Sequence, residues 1–387
     1  MTAPRWEVAD VIRLVGTRFL DTLNRAQQKV LNAIVRCRTA ALGGHRDQCI
    51  SCGHQEIKFH SCRNRHCPKC QVNAREKWLR KRRQELLPVE YFHIIISVPH
   101  QLIPLMWQNK KLLFTLLFQA AGAALLEVAA DPKRLGVEIG FLCILHTWGQ
   151  TMNKHPHLHC VMPGGGLSLD HTRWISSHPR FFLPVKVLSS VFRDKFLDGL
   201  KQAHLSNKLR FYNDCEKYAD ADIFAAFIDE LSKKKWVVYC KPPFDGTEHV
   251  LQYLARYVHR VAISNHRIVS VDEKSVTFRW KDYAHNNRQR TMTLSCEMFL
   301  RRFLYHTLPK GLPRIRYFGW LANRRRGQLL PLCRTLLHLD PNPPEITDEP
   351  HVARCPHCHG KMCMIEHLTA DQILKAAYRM EYAFDTS

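Results

Sequence analysis

The sequence predicts an α+β protein in which a central antiparallel or mixed sheet carries helices on one face, preceded by an N-terminal helical and zinc-ribbon module. Three short apolar runs bounded by turn residues, at 91–98, 139–148 and 155–162, predict strands. The intervals between them have helical periodicity, and a short turn joins the second strand to the third. Two Cys-x2-Cys knuckles near the N-terminus predict the zinc ribbon.

Composition indicates a polyanionic partner. The chain has 387 residues, with 57 Lys and Arg against 34 Asp and Glu, which gives a net charge of +23 and a pI near 9.6. Contacts with nucleic-acid phosphates release counterions, whereas no polybasic amphipathic helix or lipidation signal favours a membrane surface. The N-terminus has no signal-peptide core, and the apolar stretch 112–130 is interrupted by Gln119 and Glu127. We expect a cytoplasmic, nucleoid-associated bacterial protein that binds DNA and no membrane.

The N-terminal module begins with helices and continues with cysteines. Apolar residues recur at helical spacing through residues 1–44 and stop at Gly43-Gly44. Two knuckles separated by fourteen residues follow, the spacing of four thiolates around one tetrahedral zinc ion, with an iron–sulfur cluster as the alternative. Such a closed site supports folding rather than catalysis. The predicted ligands are Cys49, Cys52, Cys67 and Cys70, and the additional candidates nearby are Cys62, His60, His66 and His45.

The third predicted strand contains a pair of histidines. Side chains alternate along a strand, so His157 and His159 project from one face while Leu158 points the other way. Two imidazoles at this spacing can converge on one metal ion. In a chain with 23 histidines such a pair can also be structural. The pair is therefore half of a candidate metal site that needs a further ligand and a reacting group.

A helix predicted at 249–260 supplies candidate reacting groups. His249, Tyr253 and Tyr257 would share one helical face, with Arg256 and Arg260 beside them. Phenols and guanidiniums in that arrangement suit phosphate chemistry. An amphipathic helix with half-buried tyrosines explains the same pattern.

The C-terminal third is strongly basic and then changes character. No acidic residue occurs from 298 to 339, and the aromatic residues interleaved there suit a groove that holds phosphates and stacks bases. The tail after the linker at 340–344 contains a single further knuckle, which Cys363, His359 or His367 could complete. The predicted DNA-contacting residues are Arg324, Arg325 and Arg326, and the tail knuckle is Cys355 and Cys358.

These features divide the chain into four consecutive parts. The predicted parts are a zinc-binding DNA-binding module at 1–88, a catalytic domain at 89–296, a basic helical DNA-binding extension at 297–339, and a linker with a cysteine tail at 340–387.

Taken together, the motifs resemble the rolling-circle transposases of the insertion sequence 91 family, two-tyrosine members of the His-hydrophobic-His endonuclease superfamily. The resemblance covers roughly residues 10–335. The motifs that carry it are Trp148-Gly149-Gln150, His155-Pro156-His157-Leu158-His159-Cys160, Pro163-Gly164-Gly165-Gly166, Tyr253-Leu254-Ala255-Arg256-Tyr257 and Phe318-Gly319-Trp320-Leu321-Ala322-Asn323.

The resemblance implies a palm-like sheet and a metal-assisted reaction on DNA. His157 and His159 would hold Mg²⁺ or Mn²⁺, with Gln150 as the first choice of third ligand and His259 as the second. Tyr253 and Tyr257 would attack single-stranded or hairpin transposon ends and form a 5′-phosphotyrosine.

Arg256 and Arg260 are expected to clamp the DNA backbone near the scissile phosphate. Two other functions remain open at this point: a non-catalytic zinc-dependent DNA-binding protein, and a phosphoesterase that uses water. The DNA ends, the target sequence and the oligomeric state are not encoded in any recognisable motif.

Overall fold

The protein forms two compact units, each assembled from separate stretches of chain. In the computed structural model, one unit contains residues 1–77, 259–307 and 345–387, and the other contains 78–258 and 308–344. The structure describes residues 5–244, 249–250, 252–254, 261–283, 285–344 and 353–375, without the side chains of 16–18 and 72–74.

The α-helices and strands alternate along the chain. The helices are α1 (Val8–Asp21), α2 (Arg25–Arg36), α3 (Cys70–Arg83), α4 (Ile103–Gln108), α5 (Lys110–Ala130), α6 (Val185–Leu205), α7 (Ala221–Lys233), α8 (Cys296–Tyr305) and α9 (Arg326–Leu336). The strands are β1 (Gly44–Cys49), β2 (Gln55–Phe59), β3 (Tyr91–Ser97), β4 (Val137–Glu138), β5 (Gly140–Trp148), β6 (Lys154–Pro163), β7 (Gly165–Ser168), β8 (Trp174–Ser176), β9 (Val237–Phe244), β10 (Ile268–Val271), β11 (Ser275–Asp282), β12 (Arg288–Ser295), β13 (Ile315–Gly319) and β14 (Met362–Leu368). Residues 249–250 and 252–254 are also helical.

A five-stranded sheet organises the second unit. Its strand order is β13-β5-β6-β3-β9, and every neighbouring pair is antiparallel. The predicted α+β class with a central antiparallel sheet is confirmed, and the three predicted strands are β3, β5 and β6. The sheet therefore places the histidine strand β6 at its centre, between β5 and β3.

One face of this sheet is covered by helices. Alternate strand residues such as Leu158 and Cys160 pack against α5 and α6 in a continuous apolar core. By length and composition α5 could cross a membrane, but much of the helix is buried in this core. Burial of its apolar residues from water stabilises the packing of helix against sheet.

The opposite face of the sheet carries a smaller apolar cluster beside the histidines. Leu142, Ile144 and Val161 pack there against Val250 and Leu254 of the following helical residues. Because side chains alternate along β6, the residues next to Leu158 on the chain face this second side. The alternation thus separates the structural core from the polar site.

The first unit contains a second sheet with a different origin. Its order is β14-β1-β2, so the tail strand β14 pairs antiparallel with β1 near the other end of the chain. In the same unit α1 lies against α8, where the Arg301 guanidinium is 5.2 Å from the Phe19 ring.

The two-unit division differs from the four consecutive domains that we predicted. The expected basic extension is divided, because α8 belongs to the first unit while β13 and α9 belong to the second. Likewise β10, β11 and β12 lie in the first unit, not in the catalytic part. Pairings between distant stretches decide these boundaries, and local composition does not report them.

Strand β9 is longer than predicted. We expected a turn at Pro242-Pro243, but the strand continues through both prolines to Phe244. Since β9 is an edge strand, the missing amide hydrogens need no partner on its outer side.

Candidate active site and metal centres

Three imidazoles meet on the polar face of the central sheet. The ring nitrogens of His146, His157 and His159 lie within 4.8 Å of one another, and all three side chains are buried. His157 and His159 come from β6, and His146 on β5 is the direct cross-strand neighbour of His157. The predicted projection of the β6 pair from one face is therefore what the structure contains.

The tautomer of His157 leaves a nitrogen facing the cluster. Its Nδ1 is 2.8 Å from the carbonyl oxygen of His155, so Nδ1–H donates to that oxygen and Nε2 keeps its lone pair. Nε2 of His157 is 3.1 Å from Nε2 of His159. Neighbouring ligands of an octahedral ion with bonds of about 2.1 Å lie about 3.0 Å apart, so this pair fits one divalent cation. A carbonyl that fixes the far nitrogen of a ligating histidine is the usual support of such a site.

A fourth histidine connects the cluster to a tyrosine. Nε2 of His93, on β3, is 2.9 Å from Nδ1 of His159. The Tyr253 hydroxyl oxygen is 2.7 Å from Nδ1 of the same His93 ring. Tyr253 is half-buried and packs against Phe244, with ring centroids 4.7 Å apart. The tyrosine hydroxyl is thus one imidazole away from the cluster.

The histidines of this site are neutral at pH 7. Burial, followed by the nearby Lys241 charge and His157, lowers the pKa of His93 to about 3. Burial and the neighbouring histidines also hold the pKa of His159 well below its ordinary value. Neutral rings have the lone pairs that metal ligation and hydrogen-bond relays require.

The structure adds two histidines that our sequence reasoning missed. His93 and His146 each interrupt an otherwise apolar buried strand, and that interruption was the available signal. Gln150, our first choice of third ligand, lies in the turn after β5, and its role as a ligand stays a prediction. The predicted residues Tyr257, Arg256, Arg260 and His259 lie outside the described residues.

The four predicted zinc ligands do not form one cluster. Cys67 and Cys70 lie with Cys37 and Cys62, whereas Cys49 and Cys52 lie elsewhere. In the first cysteine cluster, defined by Cys37, Cys62, Cys67 and Cys70, the Sγ atom of Cys70 is 3.4 Å from Cys37 and 3.5 Å from Cys62. Our assignment of all four ligands to one ion was wrong, because the two knuckles fold apart.

The second cysteine cluster contains Cys49, Cys52, Cys355 and Cys358. The tail knuckle is therefore completed by the N-terminal knuckle, and not by Cys363, His359 or His367 as we considered. Both clusters have four sulfur ligands and no open position, the donor set of structural zinc.

Two of the three predicted DNA-contacting arginines are paired within the second unit. Arg325 forms an ion pair with Glu138, with Nη2 3.0 Å from Oε2. Arg326 is 3.4 Å from Glu85, and its guanidinium is 5.3 Å from the Tyr317 ring centroid. Arg324 is exposed. Of the three, Arg324 is the arginine that solvent reaches best.

The sheet with its imidazole cluster, together with the cysteine modules, belongs to a transposase. Residues 140–328, which include β5, β6 and Tyr253, match a protein-family model described as "Putative transposase". Residues 11–98 match the "Transposase zinc-binding domain" of the insertion sequence 91 type.

The chain belongs to the insertion sequence 91 family of transposases, as its motifs led us to expect. It is 49% identical over 377 residues to "Putative transposase y4qJ" of Sinorhizobium fredii, covering 93% of this chain and 95% of that protein. It is 29% identical over 315 residues to "Transposase for insertion sequence element IS801" of Pseudomonas savastanoi pv. phaseolicola, covering 80% of this chain and 73% of the relative. No solved structure matches the chain.

Membership in this family confirms the coarser predictions. The protein is a transposase with DNA as its partner, and its cysteine modules are of the zinc-binding kind.

Proposed function

We propose that this transposase nicks and rejoins single-stranded DNA at transposon ends by tyrosine transesterification through a 5′-phosphotyrosine. The observation that carries the proposal is the contact of the Tyr253 hydroxyl with His93, 2.7 Å from Nδ1, on the sheet face that holds the imidazole cluster. A nucleophile, a positioning group and a candidate metal site then share one surface.

His146, His157 and His159 are the residues that would hold the divalent cation. Of the two metals we expected, three nitrogen donors favour Mn²⁺ over Mg²⁺. When bound, the cation supplies electrostatic stabilisation of the charge that develops on the phosphate oxygens. Gln150 is a further candidate ligand from the turn that follows β5.

His93 acts on Tyr253 as a positioning residue. With a pKa lowered to about 3, His93 is a weak base and does not store the phenolic proton. If His159 ligates through Nε2, its Nδ1–H donates to Nε2 of His93, 2.9 Å away. His93 then carries its own proton on Nδ1 and donates it to the Tyr253 oxygen, which stabilises that oxygen as it becomes anionic.

The covalent step exchanges one phosphate ester for another. The Tyr253 oxygen forms a bond to phosphorus, and the bond from phosphorus to the 3′ oxygen breaks. The phenolic proton is lost to solvent, and the departing 3′ oxygen takes up a proton to give a free 3′-OH. Because the new ester keeps the free energy of the old one, a 3′-OH can later attack it and rejoin the strand without an external energy source.

The partner of this reaction is DNA that is locally unpaired. Tyr257 is proposed as the second nucleophile, and Arg256 and Arg260 as backbone contacts, all from the helix that continues from Tyr253. We place the protein in the bacterial cytoplasm, associated with the nucleoid, and without a membrane partner.

The experiment is a denaturing gel of the full-length protein with single-stranded oligonucleotides from the element's ends and Mn²⁺. The label is at the 3′ end, so that it stays with the 5′-phosphate side of the cut. We expect a labelled protein–DNA band that is lost in Tyr253→Phe and in His157→Ala. Tyr212→Phe is the matched control, because Tyr212 is an exposed tyrosine outside the site, and its band should remain.

Each other outcome rejects the proposal or one part of it. Free cleavage products without a covalent band identify a hydrolase that uses water. Retarded but uncut DNA identifies a binding protein without this chemistry. A covalent band that persists in Tyr253→Phe and disappears in Tyr257→Phe moves the nucleophile one helical turn along.

A further inference from the structure

The second cysteine cluster joins two stretches that are far apart in the sequence, since Cys49 and Cys358 are separated by 309 positions. We propose that this cluster binds a structural zinc ion of its own and that the ion clasps residues 353–368 onto β1. The transposase would then contain two structural zinc sites, one within the N-terminal module and one that closes the module with the tail.

The sulfur atoms are already placed for a tetrahedral ion. The Sγ–Sγ distances are 3.4 Å for Cys49–Cys358, 3.6 Å for Cys52–Cys355 and 3.3 Å for Cys52–Cys358. Thiolates bound to zinc at about 2.3 Å lie about 3.8 Å from one another, so the arrangement is within a few tenths of an ångström of a zinc site. Each knuckle contributes two ligands from a Cys-x2-Cys sequence, as in zinc ribbons.

The two knuckles have the same backbone conformation although nothing in the chain repeats between them. In each, the amide of the first cysteine donates to the carbonyl five positions later, and the cysteine carbonyl accepts from the amide four positions later. The residue at that fourth position has a positive φ in both cases. The values are 2.8 Å for Cys49 to His54, 3.0 Å for Gly53 to Cys49 and φ +73° at Gly53, against 2.8 Å for Cys355 to Gly360, 3.0 Å for His359 to Cys355 and φ +58° at His359.

Close approach of the two knuckles is built into the tail. A Cβ atom at Gly360 would lie 2.5 Å from the Ser51 hydroxyl oxygen and 3.1 Å from the Cys49 sulfur, so only glycine fits at this position. The Ser51 amide also donates to the Cys49 sulfur at 3.4 Å, a bond that stabilises a thiolate.

Apolar packing around the cluster is too small to hold the tail. Cys49, Cys355 and Met362 form the whole buried cluster among the described residues, with Ala353 packed against it. A core of this size contributes little free energy of folding, whereas structural zinc commonly contributes most of it in small modules. The pairing of β14 with β1 therefore gains its stability from the ion.

The site is separate from the zinc-binding domain that the comparisons identify. The domain match ends at residue 98, whereas Cys355 and Cys358 lie in the tail. The first cysteine cluster has four sulfur ligands of its own, so neither cluster borrows a ligand from the other.

The first test compares the zinc content of full-length variants purified without added metal, by mass spectrometry of the metal. Cys355→Ser/Cys358→Ser should lose one equivalent relative to the wild type, and Cys67→Ser/Cys70→Ser should lose a different one. Cys363→Ser is the matched control, because Cys363 lies on the same tail strand but outside the cluster. Equal zinc in the tail variant and the control would overturn the proposal.

The second test needs no variant. Cys52 and Cys358 are exposed, so iodoacetamide should alkylate them quickly unless a metal holds them. In the wild-type protein, zinc should slow alkylation of Cys52 and Cys358 by about tenfold or more relative to chelator-treated protein, because ligated sulfur is no longer a free nucleophile. Cys358 alkylated at the same rate with and without zinc would contradict the clasp, whatever the variants do.

Discussion

At the scale of single residues, His93 controls how the site responds to acid. Its folded-state pKa of about 3 lies below the ordinary value of 6.5 because the ring is buried. Between these two values the unfolded chain binds a proton that the folded protein does not. The contribution of His93 to stability is therefore complete above pH 6.5 and declines as the pH falls towards 3.

The prediction compares His93→Gln with the wild type across pH 5.5–7.5. Because the variant lacks this proton linkage, its stability relative to the wild type should rise by about 1.4 kcal/mol for each pH unit below 6.5. Thermal or urea unfolding measures the difference, and the difference cancels the acid sensitivity that the zinc sites add to both proteins. His178→Gln, at an exposed histidine, should show no such trend. A constant gap between wild type and His93→Gln would mean that His93 is protonated in the folded protein.

Residue patterns predicted half of the active site. The alternation of His157, Leu158 and His159 identified both the strand and its polar face, because a strand's period is local. His93 and His146 join the cluster through the register of β3 and β5 against β6, which depends on pairing between separate segments. Local spacing cannot report which strands become neighbours, so these two histidines were out of its reach.

At the scale of elements, β13 is the strand that the sequence concealed. It lies in the basic segment that we expected to be helical, yet it pairs with β5 at the edge of the central sheet. Phe318 of β13 stacks on Phe141 with ring centroids 5.1 Å apart. A Cβ atom at Gly122 of α5 would lie 2.3 Å from the Phe318 ring, so α5 and β13 approach closely because this residue is glycine.

Gly122→Ala should therefore destabilise the protein by about 1–3 kcal/mol, although alanine is ordinarily the better helix former. Gly199→Ala in α6 is the matched control: its Cβ would also meet an atom at 2.3 Å, but that atom is the flexible end of Leu116. We expect the control to be close to neutral in thermal unfolding. Equal stability of both variants would show that β13 yields to α5 without cost.

At the scale of the whole molecule, a net charge of +23 predicts DNA binding that weakens steeply with salt. The ion pairs of Arg325 with Glu138 and of Arg326 with Glu85 assign those cations partly to the fold. Charge counts along the sequence cannot separate such cations from those that face a ligand, because both look alike in a basic run.

Arg324→Ala should lower the salt dependence of single-stranded DNA affinity, with the slope of log K against log salt falling by about 0.7 in magnitude. Arg326→Ala should leave that slope unchanged and lower the unfolding midpoint instead, because its guanidinium packs on Tyr317. Fluorescence anisotropy at several salt concentrations measures the slope. Equal slopes for the wild type and Arg324→Ala would remove Arg324 from the DNA-contacting surface.

The pairing of β1 imposes an order on the synthesis of this protein. On the ribosome, β2 follows β1 within a few residues, but β14 emerges only after more than three hundred further residues have been translated. Throughout that interval one edge of β1 has no strand beside it, although the cysteines of the first cluster have long been available. A nascent chain therefore completes its earliest sheet last, and a message cut short within the basic segment yields a transposase whose first module stays open.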